Sequence, residues 1–449
     1  MESAAVVPGA GGVGQAATEL LQRLIRFNTT NPPGNEREAQ EMLASLLGDA
    51  GFDCELLGVE PERPNLIARL RGDQTTDPPA PTLCLLGHVD TVPADPEEWS
   101  HDPWGGENAE DQIWGRGAQD MKEQVAAEAA AAVELATAGW RPNGELLVIV
   151  TADEEMGAHL GAKWLCEQHP EKVRSDIVVN EGGGMSFELG GRRHYTLCVG
   201  EKGVFRFHLR TRGRAGHASV PALGDNALLK LAPLLESLRS QPEPEPTPEG
   251  LEFLSAVLGE TVEADGLGPA IERLGELDPL LAAFVLEPML RVTLTPTKAH
   301  ASDKDNVIPS RAEVLVDCRV PPEMTEPQVR ERVEQVVGEG GEDFEIEFVE
   351  NAVGNRSPSD TPLAEAISAT LSELDPGAVL VPIVMAGFSD SHWFREAFDA
   401  ATVYGFCPQR DMTLAEAGPL IHSADERIKI SDMELAANFY VALTRRLLG

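Results

Sequence analysis

Apolar positions recur at helical spacing near the start of the chain and then change period. Leu20, Leu21, Leu24 and Ile25 share one helical face, which predicts a helix over 16–27, stopped by the Asn31-Pro32-Pro33-Gly34 turn. A second helix is predicted over 36–50 and ends at Gly51. Short continuous apolar runs at 64–70, 81–86, 145–151 and 176–179 read as buried strands. Between them lie helical stretches at 121–138, rich in Ala and closed by Gly139, and at 161–168. Strands alternating with helices predict an α/β fold, a mostly parallel sheet with helices on both faces.

The pattern breaks near residue 195. Runs at 196–199 and 204–211 read as neighbouring strands, followed by a helix over 226–238. The acidic, Pro-rich stretch 241–248 reads as an extended loop, 251–290 as helical, and 291–296 and 312–318 as strands. This predicts a smaller α+β domain, residues 196–322, inserted into a catalytic domain made of 1–195 and 323–449. The chain ends in a predicted helix over 432–448. A length of 449 residues also favours two domains over one core.

Charge narrows the function. The net charge is 36 − 74 = −38, spread along the chain. It repels phosphate backbones and anionic membrane surfaces, which argues against nucleic-acid or membrane partners. A solvated acidic surface accounts for most of it, with adaptation to high salt as the alternative. Cys54, Cys84, Cys166, Cys198, Cys318 and Cys407 form no CxxC pair and read as buried free thiols in a reducing compartment. Residues 1–15 are small and Gly-rich, without the cationic and apolar regions of a secretory signal. No apolar stretch is long enough to span a bilayer. The expected location is the cytoplasm.

Acids and histidines stand at the ends of the apolar runs. His88 and Asp90 end one strand, and period-two alternation points both to one side. Either they only satisfy a turn, or one binds a metal while the other steers the imidazole. Asp120, after the Gly-rich Gly115-Arg116-Gly117, has helix N-cap as its plain reading. Glu154 and Glu155 would be an ordinary solvated pair in an exposed loop. Here a buried strand delivers them to the carboxyl edge of the sheet, where one can bind metal while the other faces a substrate. Glu181 follows another strand in the same way, and His422 comes late, outside any obvious helix. The remaining histidines, His101, His159, His169, His194, His208, His300 and His392, read as surface or core residues. Imidazole and carboxylate donors gathered at four strand ends suit zinc, and their number fits two metals sharing one carboxylate.

At this point the chain resembles the dizinc metallopeptidase superfamily of aminoacylases, glutamate carboxypeptidases, acetylornithine deacetylases and succinyl-diaminopimelate desuccinylases. The likeness runs from about residue 17 to the end. It rests on Gly87-His88-Val89-Asp90-Thr91-Val92-Pro93, Gly115-Arg116-Gly117-Ala118-Gln119-Asp120-Met121-Lys122 and Asp153-Glu154-Glu155. Gly213-Arg214-Ala215-Gly216-His217-Ala218-Ser219, Asn306-Val307-Ile308-Pro309 and Gly387-Phe388-Ser389-Asp390-Ser391 extend it. The resemblance implies that His88 and Glu181 hold one zinc, Glu155 and His422 the other, and Asp120 bridges them. It makes Asp90 the residue that orients His88 and Glu154 the general base. It places His217, Asn306 and Arg319 in the inserted domain as substrate contacts. That domain would be a lid that can pair with a second chain in a homodimer. Lys122-Glu123-Gln124 departs from the glycines that often follow this lysine in relatives, and no motif is matched over 241–290.

The expected function is zinc-dependent hydrolysis of an amide bond in a small molecule, a dipeptide or an N-acyl amino acid, with cobalt or manganese as substitute metals. Glu154 would move the proton and His217 would support the oxyanion. One rival reading is a biosynthetic deacylase of the acetylornithine or succinyl-diaminopimelate kind. The other is a binding protein that keeps the fold without the chemistry.

Overall fold

The computed structural model describes residues 12–72, 80–341 and 344–449, so the reading of the N-terminal stretch lies outside the described residues as far as residue 11. The chain folds into two units, each with its own core. The first comprises Met1–Val199, Ser357–Pro382 and Ser389–Gly449, and the second Gly200–Arg356 and Ile383–Phe388.

The first unit is built on a sheet of ten strands among the described residues. Its centre is parallel: Glu145–Thr151, Thr82–His88, Ile177–Asn180 and Thr402–Gly405 lie side by side in that order. These strands are buried on both faces, which is why they read as unbroken apolar runs. Leu83, Leu85, Leu146, Val148 and Val150 join a core with the helices Gly12–Ile25, Arg37–Asp49, Lys122–Thr137 and Ile430–Leu448. Cys84, Leu86, Leu147 and Ile149 pack the other way, with residues of Ala162–Gln168 and Ser391–Ala397. Antiparallel strands flank the centre: Asn65–Arg71 and Asp53–Leu57 on one side, Arg192–Glu201 and Met185–Leu189 on the other. The sheet is thus parallel at the core and mixed at its margins. The six cysteines are unpaired, and all but Cys54 are buried. No helix among the described residues is long and apolar enough to cross a membrane.

The second unit carries an antiparallel four-stranded sheet, Thr293–His300, Arg311–Val320, Gly203–Arg212 and Phe344–Ala352 in that order. Helices Ala227–Ser237 and Glu326–Val337 cover it through Leu231, Leu234, Val329 and Val333. The sequence reading ends the insert at 322, whereas the folded unit continues to Arg356. The reason is a strand the apolar pattern hides. Phe344–Ala352 alternates with glutamates that pair across to arginines of Gly203–Arg212: Arg206 with Glu350, Arg210 with Glu347 and Arg212 with Glu345. Its partner strand is far away in sequence, so it completes this sheet rather than the catalytic one. The segment left without a motif forms helices Pro248–Leu258 and Leu267–Leu277 and shorter turns as far as Leu290.

Glu123, Gln124 and Glu128, at and beyond the departure from the glycine pattern, are buried on the helix Lys122–Thr137. Gln124 donates to Glu128 at 2.8 Å. Burial pushes the Glu128 carboxyl well above its ordinary range, and the charge of Glu123 adds to the effect. The folded chain therefore keeps a proton that the unfolded chain releases. Stability present at acid pH is lost as the pH rises from the unfolded carboxyl value towards the folded one. Glu128→Gln is expected to be more stable than the parent at pH 8, by at least about 1 kcal/mol, and nearly equal to it at pH 4. Urea unfolding at the two pH values measures this; a variant less stable at pH 8 would show that the charged carboxylate is tolerated.

Candidate metal centre

Three adjacent parallel strands end at the site. Thr82–His88 terminates in His88, Glu145–Thr151 runs into Glu154 and Glu155, and Ile177–Asn180 is followed by Glu181. Because Thr82–His88 lies between the other two, His88 faces acids from both neighbours. The close approach at Glu181 requires glycine at 405, since a Cβ there would overlap the Glu181 carbonyl oxygen. Asp120 arrives from the turn before Lys122–Thr137. Met121 occupies the cap position of that helix, which sets aside the N-cap reading of Asp120. His422 arrives from a loop in which it and Asp425 both hold positive φ, 62° and 60°. That region is sparsely populated by residues other than glycine.

One carboxylate joins the two imidazoles. His88 Nε2 stands 3.1 Å from Asp120 Oδ1, and His422 Nε2 stands 3.0 Å from Asp120 Oδ2. His88 Nε2 is also 3.7 Å from Glu181 Oε1 and 3.9 Å from Glu154 Oε2, while His422 Nε2 is 3.3 Å from Glu155 Oε2. Among the described residues, two groups have donor atoms close enough to share an ion: His88, Asp120 and Glu155, and His88, Glu154 and Glu181. Glu154, expected to be free of metal, thus stands within ligand range of His88.

The electrostatics describe a crowded anionic cluster. Burial pushes the carboxyls of Glu154, Glu155 and Glu181 up, and neighbouring acids add to the effect. Burial disfavours the charged form of His88, yet its hydrogen bonds to Asp120 and Asp90 win and its pKa rises well above the ordinary value. Hydrogen bonds to Asp120 and Glu155 raise His422 to about 10. Burial opposes ionisation of Asp120, but the two histidines hold its carboxyl well below the usual range. Glu155 Oε1 is buried without a hydrogen-bond partner among the described residues. An orphaned oxygen, two imidazoles and converging carboxylates form a donor set that fits divalent zinc.

Sequence reasoning missed the supports. His88 Nδ1 lies 3.4 Å from Asp90 Oδ1 and 3.0 Å from the Asp90 carbonyl oxygen. Asp90 also accepts the backbone N–H groups of Glu154 and Glu155, each at 3.2 Å, and the amide of Asn31 at 2.8 Å. Asn31 donates as well to Asp153, which pairs with Arg63, itself held by buried Glu36. Lys122 is buried with its ammonium on the carbonyl oxygens of Leu24 and Phe27, and burial lowers it to about 7. These supporting contacts join residues 27 to 122 positions apart, so no local spacing reveals them. The only signal was the presence of Asn31 and Glu36 around a Pro-Pro-Gly turn.

The remaining site candidates belong to the second unit. His217, in the short strand Gly216–His217, pairs with Val307 of Val307–Ile308, and Ala218 N–H donates to the Asn306 carbonyl at 3.0 Å. His217 and Asn306 are therefore neighbours, and both are exposed. Arg319 lies apart on Arg311–Val320, half-buried, with Nε donating to Asp317 at 2.8 Å.

Comparison with known proteins bears on the family and the fold. A model of peptidase family M20/M25/M40 matches residues 84–446. The succinyl-diaminopimelate desuccinylase of Paracoccus denitrificans (strain Pd 1222) is 29% identical over 440 residues, covering 95% of this chain and 97% of that protein. The M20 family metallo-carboxypeptidase Sso-CP2 from Sulfolobus solfataricus superposes with a TM-score of 0.71 at 18% identity, over 96% of this chain and 99% of that one. Human carnosine dipeptidase 1 superposes with a TM-score of 0.65 at 18% identity, over 96% of each chain. At such identities the two structures establish the fold.

Proposed function

This chain belongs to peptidase family M20/M25/M40, and from that membership we propose that it is a dizinc hydrolase of the amide bond in a dipeptide or N-acyl amino acid. The observation that carries the proposal is the Asp120 carboxylate, whose two oxygens face two different imidazoles, His88 and His422. In this reading His88 and Glu181 hold one metal, Glu155 and His422 the other, and Asp120 is common to both. Bound zinc lowers the pKa of a water and polarises the scissile carbonyl, and cobalt or manganese can substitute. Asp90 keeps His88 in the ligating orientation through the second ring nitrogen. Glu154 takes the proton from the water whose oxygen bonds to the carbonyl carbon and passes it to the nitrogen as the C–N bond breaks, so a carboxylate and an amine result.

His217 is assigned to the oxyanion, and Asn306 and Arg319 to the substrate, with Arg319 binding a free carboxylate by a charge-assisted hydrogen bond. Pairing of two chains through the second unit draws support from Thr293–His300. This strand is an edge of its sheet and is exposed over most of its length. Exposed Leu228 and Leu229 stand on Ala227–Ser237 of the same unit. If His217 serves the partner's site, mixing inactive Glu154→Gln chains with inactive His217→Ala chains is expected to restore part of the activity. No recovery despite proven subunit exchange would leave His217 acting within its own chain.

The full-length likeness to the Paracoccus desuccinylase favours a second reading, a biosynthetic deacylase. A panel of dipeptides, N-acetyl amino acids and N-succinyl amino acids, with zinc added, separates the two by preference. Metal-dependent turnover of at least one amide, abolished by a chelator, is the expected result. Binding without turnover across the panel would support the non-catalytic reading instead.

A further inference from the structure

Arg116 and Glu426 form a buried ion pair, Arg116 Nη1 to Glu426 Oε2 at 2.6 Å, with exposures of 3% and 0%. A buried pair of this kind stabilises a fold little compared with apolar residues of the same shape, so its place in the structure calls for another account. Every remaining side-chain hydrogen bond of the pair falls on a segment that carries a site residue. Arg116 Nη1 donates to the Ser423 carbonyl at 3.0 Å, directly after His422, and Nη2 reaches the His422 carbonyl at 3.5 Å. Nη2 also donates at 3.2 Å to the Pro93 carbonyl, at the end of the segment that begins with His88 and Asp90. Glu426 Oε1 accepts the backbone N–H groups of Gln119 at 2.6 Å and Asp120 at 3.2 Å. The guanidinium lies 5.1 Å from the centre of the Trp99 ring.

We propose that Arg116 and Glu426 are positioning residues that fix the Asp120 turn against the His422 loop and so set the geometry of the metal position made by Asp120, Glu155 and His422. The inference rests on the two-metal reading. Without the pair, the half-exposed His422 loop, left-handed at His422 and Asp425, loses its carbonyl contacts to the guanidinium and keeps the bonds of Ser100 to Asp425 and the ring contacts of His422 to Asp120 and Glu155. The position made by His88 and Glu181 has its own supports in the strand ends and Asp90, and depends on the pair less.

Direct zinc titration of metal-free protein tests this, with the parent chain, Arg116→Met, Arg116→Lys and Glu426→Gln compared. In Arg116→Met one of the two sites is expected to weaken by about 10- to 100-fold while the other changes less than that. At limiting zinc kcat falls with little change in KM, and excess zinc restores it. Arg116→Lys keeps one charge contact but cannot span the three carbonyls, so it is expected to rescue only in part. Glu426→Gln keeps an acceptor for the Gln119 and Asp120 N–H groups and provides a milder variant should Arg116→Met fail to fold. Two sites of parental affinity in folded Arg116→Lys and Glu426→Gln would overturn the proposal. So would equal weakening of both sites with a lowered Tm and no rescue by zinc, the pattern of a merely structural pair. Failure of the parent chain to bind two metals would instead defeat the two-metal reading itself.

Discussion

Glu154→Gln is expected to lower kcat by on the order of 10²- to 10⁴-fold while leaving KM and the metal content close to those of the parent. Glutamine preserves the shape of the side chain and removes the proton acceptor. The adjacent Glu155, whose Oε2 lies 3.3 Å from His422 Nε2, is assigned to metal binding, although Glu154 Oε2 also stands 3.9 Å from His88 Nε2. Glu155→Gln is therefore expected to lose metal first and activity as a consequence. Elemental analysis of the two variants beside their kinetics decides the matter. If Glu154→Gln loses metal and Glu155→Gln keeps it, the assignments are exchanged.

Asp120→Ala should have the widest effect, because one change removes the shared ligand. Zinc content is expected to fall below one per chain and amide hydrolysis to disappear. A second consequence is readable without metal or substrate. The hydrogen bond to Asp120 is the first cause of the elevated His422 pKa, about 10, with Glu155 next. In metal-free Asp120→Ala the His422 imidazole is expected to titrate lower, nearer the ordinary histidine range. NMR titration of the ring protons measures it; an unchanged His422 pKa would mean that Asp120 is not its partner in solution.

Much of this site is legible in the sequence because burial writes it there. Strands buried on both faces leave unbroken apolar runs, and a charged residue at the end of such a run has to stand at the sheet edge. That reasoning finds His88, Glu154, Glu155 and Glu181 from local pattern alone. Asp120 and His422 are harder, because their loops carry no period; the motif resemblance, rather than spacing, singles them out. The supports Asn31, Arg63 and Glu36 escape entirely, since each makes sense only beside partners brought by other loops. The boundary of the second unit was missed for a different reason. The strand Phe344–Ala352 is held at its surface by arginine–glutamate pairs, and an apolar period does not report those. Glutamates near alternate positions there, matched by Arg206, Arg210 and Arg212, were the signal available.

Anomalous diffraction at the zinc edge from zinc-loaded crystals of the full chain tests the central claim most directly. Two peaks are expected, one between His88 and Glu181 and one between Glu155 and His422, with a carboxylate oxygen of Asp120 on each. A single peak, or two peaks that do not share Asp120, would contradict it.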